Sequence, residues 1–158
     1  MPRFIQPLQW QLTNTDENRP GPIRITMRAK INLELEDRSG VWRELEVIID
    51  SGASFPMMGT LLATSLNLAV PTTTSTLPLR TATGLIQEVV RDCELHIRFP
   101  QLREQSFRLK CIFRDAQPSG VPPVLGLHNT IELISILFDG TRRPDAFMGC
   151  MMFILPDP

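Results

Sequence analysis

Between Ile23 and Glu36 apolar and polar positions alternate without a break, with Ile23, Ile25, Met27, Ala29, Ile31, Leu33 and Leu35 set against Arg24, Thr26, Arg28, Lys30, Asn32, Glu34 and Glu36. A period of two is that of a strand packed on one face, so the pattern predicts one long strand. Asp37-Arg38-Ser39-Gly40 supplies turn residues. The apolar run resumes at Val41, and Leu45, Val47 and Ile49 then alternate with Glu44, Glu46 and Ile48. Residues 22–50 therefore read as a β-hairpin.

Two more strands are legible downstream. Cys93, Leu95, Ile97 and Phe99 alternate with Asp92, Glu94, His96 and Arg98, and Phe107, Leu109, Cys111 and Phe113 alternate with Arg108, Lys110 and Arg114. Both cysteines fall in the apolar set, which predicts small core residues. Upstream, Phe4, Leu8, Trp10 and Leu12 suggest another strand, set off by the polar loop Asn14 to Pro22. Gly59 to Asn67 and His128 to Ile134 can each form a short helix, neither long enough to carry a fold. The expected class is mostly β: a closed, antiparallel, barrel-like domain with one or two short helices.

At 158 residues the chain is long enough for one domain with its own core. Its 14 prolines and 9 glycines agree with many short strands joined by turns. A net charge of -1 and a pI near 6.1 create no field that would gather nucleic acid or anionic lipid, so neither is expected as a partner. Cys93, Cys111 and Cys150 are odd in number and widely spaced, without Cys or His neighbours at ligand spacing. Reduced thiols and no metal site are the expectation. The opening MPRFIQPLQW lacks the apolar core of a secretory signal, and FMGCMMFIL near the end is too short to span a bilayer. That predicts a cytoplasmic protein with no membrane partner.

One stretch raises a chemical question. In RELEVIIDSGASFPMM the strand ending at Ile49 runs straight into Asp50, a carboxylate next to residues patterned for burial. Taken alone, Asp-Ser-Gly is an ordinary way to end a strand. That account leaves the second stretch unexplained, PPVLGLHNTIEL, in which Val124 and Leu125 precede Gly126 and a helix-like segment follows.

In order and spacing, Asp50-Ser51-Gly52-Ala53-Ser54 after an apolar strand, a Gly-centred hairpin, and Val124-Leu125-Gly126 before a short helix resemble the retropepsin-like aspartic protease family. The resemblance spans residues 22–154 and assigns the protease domain to 22–158, with 1–21 as an N-terminal strand and polar loop. It implies an acid protease fold with one catalytic half-site per chain, because the tripeptide occurs once. Asp50 would be catalytic. Ser51 would hydrogen-bond to the opposite loop, Gly52 would allow the sharp turn, and Leu125 and Gly126 would pack beneath it. Substrate would meet Ala53 and Ser54 and, on the hairpin Leu79 to Val90, Thr83, Gly84 and Leu85. In the family that hairpin is a flap; from the residues alone it reads equally as a surface hairpin.

The implied partners are a second copy of the chain and an extended peptide substrate, with no cofactor. Terminal strands join subunits in this family, so the apolar run Phe147 to Leu155 is expected to face the partner. The chain has no tyrosine, which removes the flap tyrosine of the pepsin-like branch and points to the retroviral-type branch. Two positions depart together: Ser54 stands where an acidic residue is common and Leu127 where an arginine is common. Losing both partners of an ion pair leaves no orphan charge. The departure bears on recognition of substrate backbone, and keeps open a second class, a catalytically inactive module that dimerises or binds peptides. His96, His128 and the Arg142-Arg143 turn read as surface residues.

Overall fold

The computed structural model describes residues 2–7, 9–13, 24–50, 53–81, 84–115, 121–126, 130, 134–139 and 150–155. In chain order they form β1 (Arg3–Pro7), β2 (Gln9–Thr13), β3 (Arg24–Arg28), β4 (Lys30–Glu36), β5 (Trp42–Ile49), β6 (Met57–Gly59), α1 (Thr60–Ser65), β7 (Ser75–Thr81), β8 (Gly84–Phe99), β9 (Leu102–Arg114), β10 (Val124–Leu125), β11 (Ser135–Asp139) and β12 (Cys150–Ile154). The fold is mostly β with a minor helix, as the sequence pattern predicts.

The long alternation from Ile23 to Glu36 is not one strand. It breaks at Ala29: β3 pairs with β2, β4 pairs with β5, and the Ala29 carbonyl accepts the N–H of Ile49 at 2.8 Å. Alternation reports faces and not partners, so a change of partner leaves no mark on it. The β4–β5 hairpin keeps register from Lys30↔Ile48 to Glu36↔Trp42. Its turn is fixed by Asp37, whose buried carboxylate accepts from Ser39 N–H (2.8 Å), Ser39 Oγ (2.9 Å), Val41 N–H (3.0 Å) and Arg43 Nε (3.0 Å). Gly40 closes it at φ +77°, a conformation that costs glycine nothing.

Six strands form a ring of hydrogen bonds in the order β4-β5-β10-β6-β9-β8, and β8 returns to β4 through Glu34↔Arg98 and Leu35↔Ile97. β7 lies outside the ring, paired to β8. Ile31, Leu33, Val47, Leu95, Ile97, Leu109 and Phe113 supply the core. Two of the pairings, β10 with β5 and β6 with β9, are parallel. They arise because β10 returns from far along the chain to lie between β5 and β6, consecutive strands that are thereby kept apart. Whatever joins β5 to β6 must pass around the end of β10.

β8 is long enough to serve two layers. Glu88 and Val90 are buried near its start and Leu95, Ile97 and Phe99 near its end, so the packed parity changes along one strand. Cys111 is buried as expected, and burial pushes its thiol well above the usual range. Its cross-strand neighbour Cys93 is only half-buried.

A second sheet has the order β1-β12-β11. Its middle strand is the apolar run near the chain end, and Met151, Phe153 and Leu155 are fully buried. Phe4 of β1 stacks on Phe153 with ring centroids 4.8 Å apart and lies 5.1 Å from Phe99. This run was expected to face a partner subunit; in the chain itself β1 and β11 flank β12 edge to edge, and Met151, Phe153 and Leu155 pack into the core. Ile5 and Leu137, each opposite Met152, remain exposed.

Of the two expected helices, α1 forms and buries Ala63. For the second, the Ile134 N–H donates to the Thr130 carbonyl at 2.9 Å, the spacing of a helical turn, while residues 127–129 and 131–133 lie outside the described residues. Among the described residues no helix is long and apolar enough to cross a membrane.

Candidate active site

Parity places Asp50. On β5 the odd residues Val47 and Ile49 are buried while Glu44 and Glu46 are exposed, and Asp50 continues the even set into solvent. The carboxylate therefore stands outside the core while its backbone belongs to it. Its N–H donates to the Leu125 carbonyl at 3.0 Å, extending the parallel β5–β10 ladder, and Ile48 N–H donates to Pro123 at 2.9 Å one step earlier. The Asp50 carbonyl accepts the N–H of Ala53 at 3.1 Å.

The chain then crosses over the end of β10, and Gly126 is the crossing point. A Cβ on Gly126 would lie 2.5 Å from the Phe55 carbonyl carbon and oxygen and 2.7 Å from the Ala53 oxygen. Those atoms are backbone and cannot swing aside. Beyond the crossing, Ile112 N–H donates to the Pro56 carbonyl at 2.8 Å, which ties the exit of the loop to β9. Asp50 is thus held by β10, and residues 53–56 are held beneath by Gly126 and at their end by β9.

Of the residues singled out from sequence, Asp50, Ala53, Leu125 and Gly126 come together in this brace. Leu125 and Gly126 are buried, Ala53 is buried and Ser54 is exposed. Gly84 and Leu85 lie on a different element, the β7–β8 hairpin, where Thr81 pairs with Gly84. Gly84 has φ +126°, a conformation open to glycine and poor for other residues. Leu85 beyond it is 70% exposed, and Ile86 and Val89 are exposed as well. Ser51, Gly52, Thr83 and Leu127 lie outside the described residues.

Sequence reasoning passed over two features. Phe55 leaves the loop with 38% of its surface exposed and borders a cavity of about 390 Å³ formed with the outer face of the β8–β9 pair. An aromatic just after Asp50-Ser51-Gly52-Ala53-Ser54 was a signal for it. His96, read as a surface residue, is half-buried, bonded to the Glu36 carboxylate at 2.5 Å and to Ser106 Oγ at 2.8 Å, beside Trp42. It links β4, β8 and β9 where the ring closes, and only the fold brings those partners to it. Among the described residues no cluster of His, Cys, Asp and Glu could hold a metal ion.

No family model matches the chain, and neither does any curated protein. Among solved structures, a retropepsin-like aspartic protease from Rickettsia conorii is similar, at 14% sequence identity, over 96% of this chain and 94% of that chain, with a TM-score of 0.45. The functional reading below stands on the residues around Asp50.

Proposed function

We propose that the protein is an aspartic endopeptidase whose active site is completed by a second copy of the chain, Asp50 from each meeting across a two-fold axis. The observation that carries the reading is the brace itself: an exposed aspartate at the end of a buried strand, its N–H held by the Leu125 carbonyl beside a crossing that only glycine fits.

Two carboxyls sharing one site cannot both ionise easily, as in aspartic proteases generally, so the pair retains one proton. The ionised Asp50 takes a proton from a water held between the two, the water attacks the peptide carbonyl, and the protonated partner supports the developing oxyanion. Collapse returns a proton to the amine leaving group. The substrate lies extended, as an added strand, with the β7–β8 hairpin closing over it. No cofactor takes part.

The test is turnover of an unfolded, internally quenched protein substrate at mildly acidic pH. Asp50→Asn should abolish cleavage while circular dichroism and sedimentation match the wild type, and a statine-type mimic should inhibit. Undiminished turnover in that variant overturns the reading. Ser54 favours the second reading, a dimeric peptide-binding module. Peptide binding by wild-type protein that shows no turnover at any pH would establish it instead.

A further inference from the structure

The cavity beside the Asp50 loop has a composition that selects its occupant. Phe55 from the loop, Leu77 from β7 and Ile112 from β9 form an apolar wall, and Asp92, Glu94 and Lys110 border it. The Ile112 to Pro56 hydrogen bond makes the floor of the cavity and the exit of the loop one unit. A side chain seated there is held at a fixed offset from Asp50.

The three charged residues are not equivalent. Glu94 and Lys110 face each other directly across the β8–β9 ladder, where oppositely charged neighbours offset one another, and Arg108 donates to Glu94 at 2.7 Å. Asp92 faces Ile112, an apolar residue. Among the described residues its carboxylate has no hydrogen bond or ion pair. Among the described residues, the cavity therefore joins an apolar wall to one carboxylate outside any ion pair, with Lys110 on the same border.

We propose, resting on the reading of Asp50 given above, that this cavity is a specificity pocket in which a large apolar side chain of the extended peptide packs against Phe55 and Leu77 while Asp92 pairs with a lysine or arginine two positions away. The spacing follows from the geometry of an extended chain, whose side chains return to the same face at every second residue. A cavity of about 390 Å³ has the size of an ordinary small-ligand pocket and accepts a phenylalanine or leucine side chain. The substrate class is thus an unfolded, basic segment of the form large apolar, any residue, Lys or Arg, in either direction.

Binding is measured on the full-length Asp50→Asn chain, so that it does not depend on turnover. Fluorescein-labelled peptides carrying Phe-Ala-Lys, Phe-Ala-Glu or Ala-Ala-Lys in one common frame are compared by anisotropy at low and high salt. The Phe-Ala-Lys peptide should bind about five- to tenfold more tightly than either of the others, and its advantage over Phe-Ala-Glu should shrink as salt screens the pair. Adding Asp92→Lys should reverse the preference between Lys and Glu; Asp92→Asn should remove it. Asp92 is an exposed residue of a long strand, and circular dichroism confirms that each variant folds.

Equal binding of all three peptides, a preference for Glu set by Lys110, or no binding by the folded chain overturns the pocket. Wild-type cleavage of the same peptides reports separately on Asp50. Charge-selective binding without cleavage leaves the pocket standing and defeats the protease reading. Cleavage indifferent to charge and unchanged by Asp92→Lys does the reverse.

Discussion

The backbone N–H of Asp50 donates to the carbonyl of Leu125 at 3.0 Å, which places the candidate catalytic residue at the end of a parallel ladder instead of in a free loop. The position of Asp50 is set by a segment that arrives from far along the chain. Damage to that segment should move the carboxylate even where no atom of it is touched.

Gly126 is the sensitive point. Gly126→Ala puts a Cβ within 2.5 Å of the Phe55 backbone. We expect a loss of about 1–3 kcal/mol in urea unfolding from overpacking, with Gly126→Val worse. Any activity should fall further than stability does. An alanine variant as stable as wild type would show that the crossing is looser than drawn.

Asp37 sets the acid limit of the β4–β5 turn. The hydrogen bond from Val41 N–H leads the effects that hold its carboxyl well below the usual range, with Ser39 and Arg43 adding to it and burial opposing. A depressed folded-state pKa means that this stabilisation is complete above the ordinary carboxylate range and is lost as pH falls through and below it. Urea midpoints between pH 7 and pH 2 should decline more steeply for wild type than for Asp37→Asn, which should begin lower and lack this component.

Two arginines share Glu34, and they should not be equal. Arg98 is 20% exposed, donates at 2.5 Å and stacks over Trp42 at 4.0 Å; Arg103 is 63% exposed. Removing Arg98 leaves a nearly buried carboxylate, at the pairing that closes the ring, held only by the exposed Arg103. Arg98→Ala should cost about 1–3 kcal/mol and Arg103→Ala under about 1 kcal/mol, read as melting temperatures at low and high salt. Equal losses would mean that Glu34 is served by either partner.

The half-site itself is tested by mixing. Co-refolding equal amounts of wild-type and Asp50→Ala chains should leave about a quarter of randomly paired dimers with both carboxyls. Activity near a quarter of the all-wild-type value supports sharing. Activity near one half, unchanged by dilution, would mean that each chain works alone.

The strands of the ring and the hairpin turn were legible because each has one wet face, and alternation at Leu33, Val47, Leu95 and Leu109 reports that directly. Asp50 and Gly126 were legible through their order along the chain. The break at Ala29 was not, because parity runs on through a change of partner. Neither was the parity change on β8, since a strand buried on different faces at its two ends reads as irregular. Asp92 looked like any charge on a wet face, and nothing in its neighbours showed that Phe55 and Leu77 would be brought over it.

The stacking of Phe4 on Phe153 has a consequence for how the chain assembles. β1 (Arg3–Pro7) and its partner β12 (Cys150–Ile154) are separated by most of the sequence, so the two strands must find each other after everything between them exists. Contacts that far apart in sequence form late and slowly, because the closure entropy is lost before any contact compensates it. Until then Phe4 lacks the stacked Phe153 ring and has only the tilted Phe99 beside it. Until β12 is made, β1 is an unpaired, partly apolar edge open to other chains, and a chaperone that shields it should raise the yield of folded protein without altering its final stability.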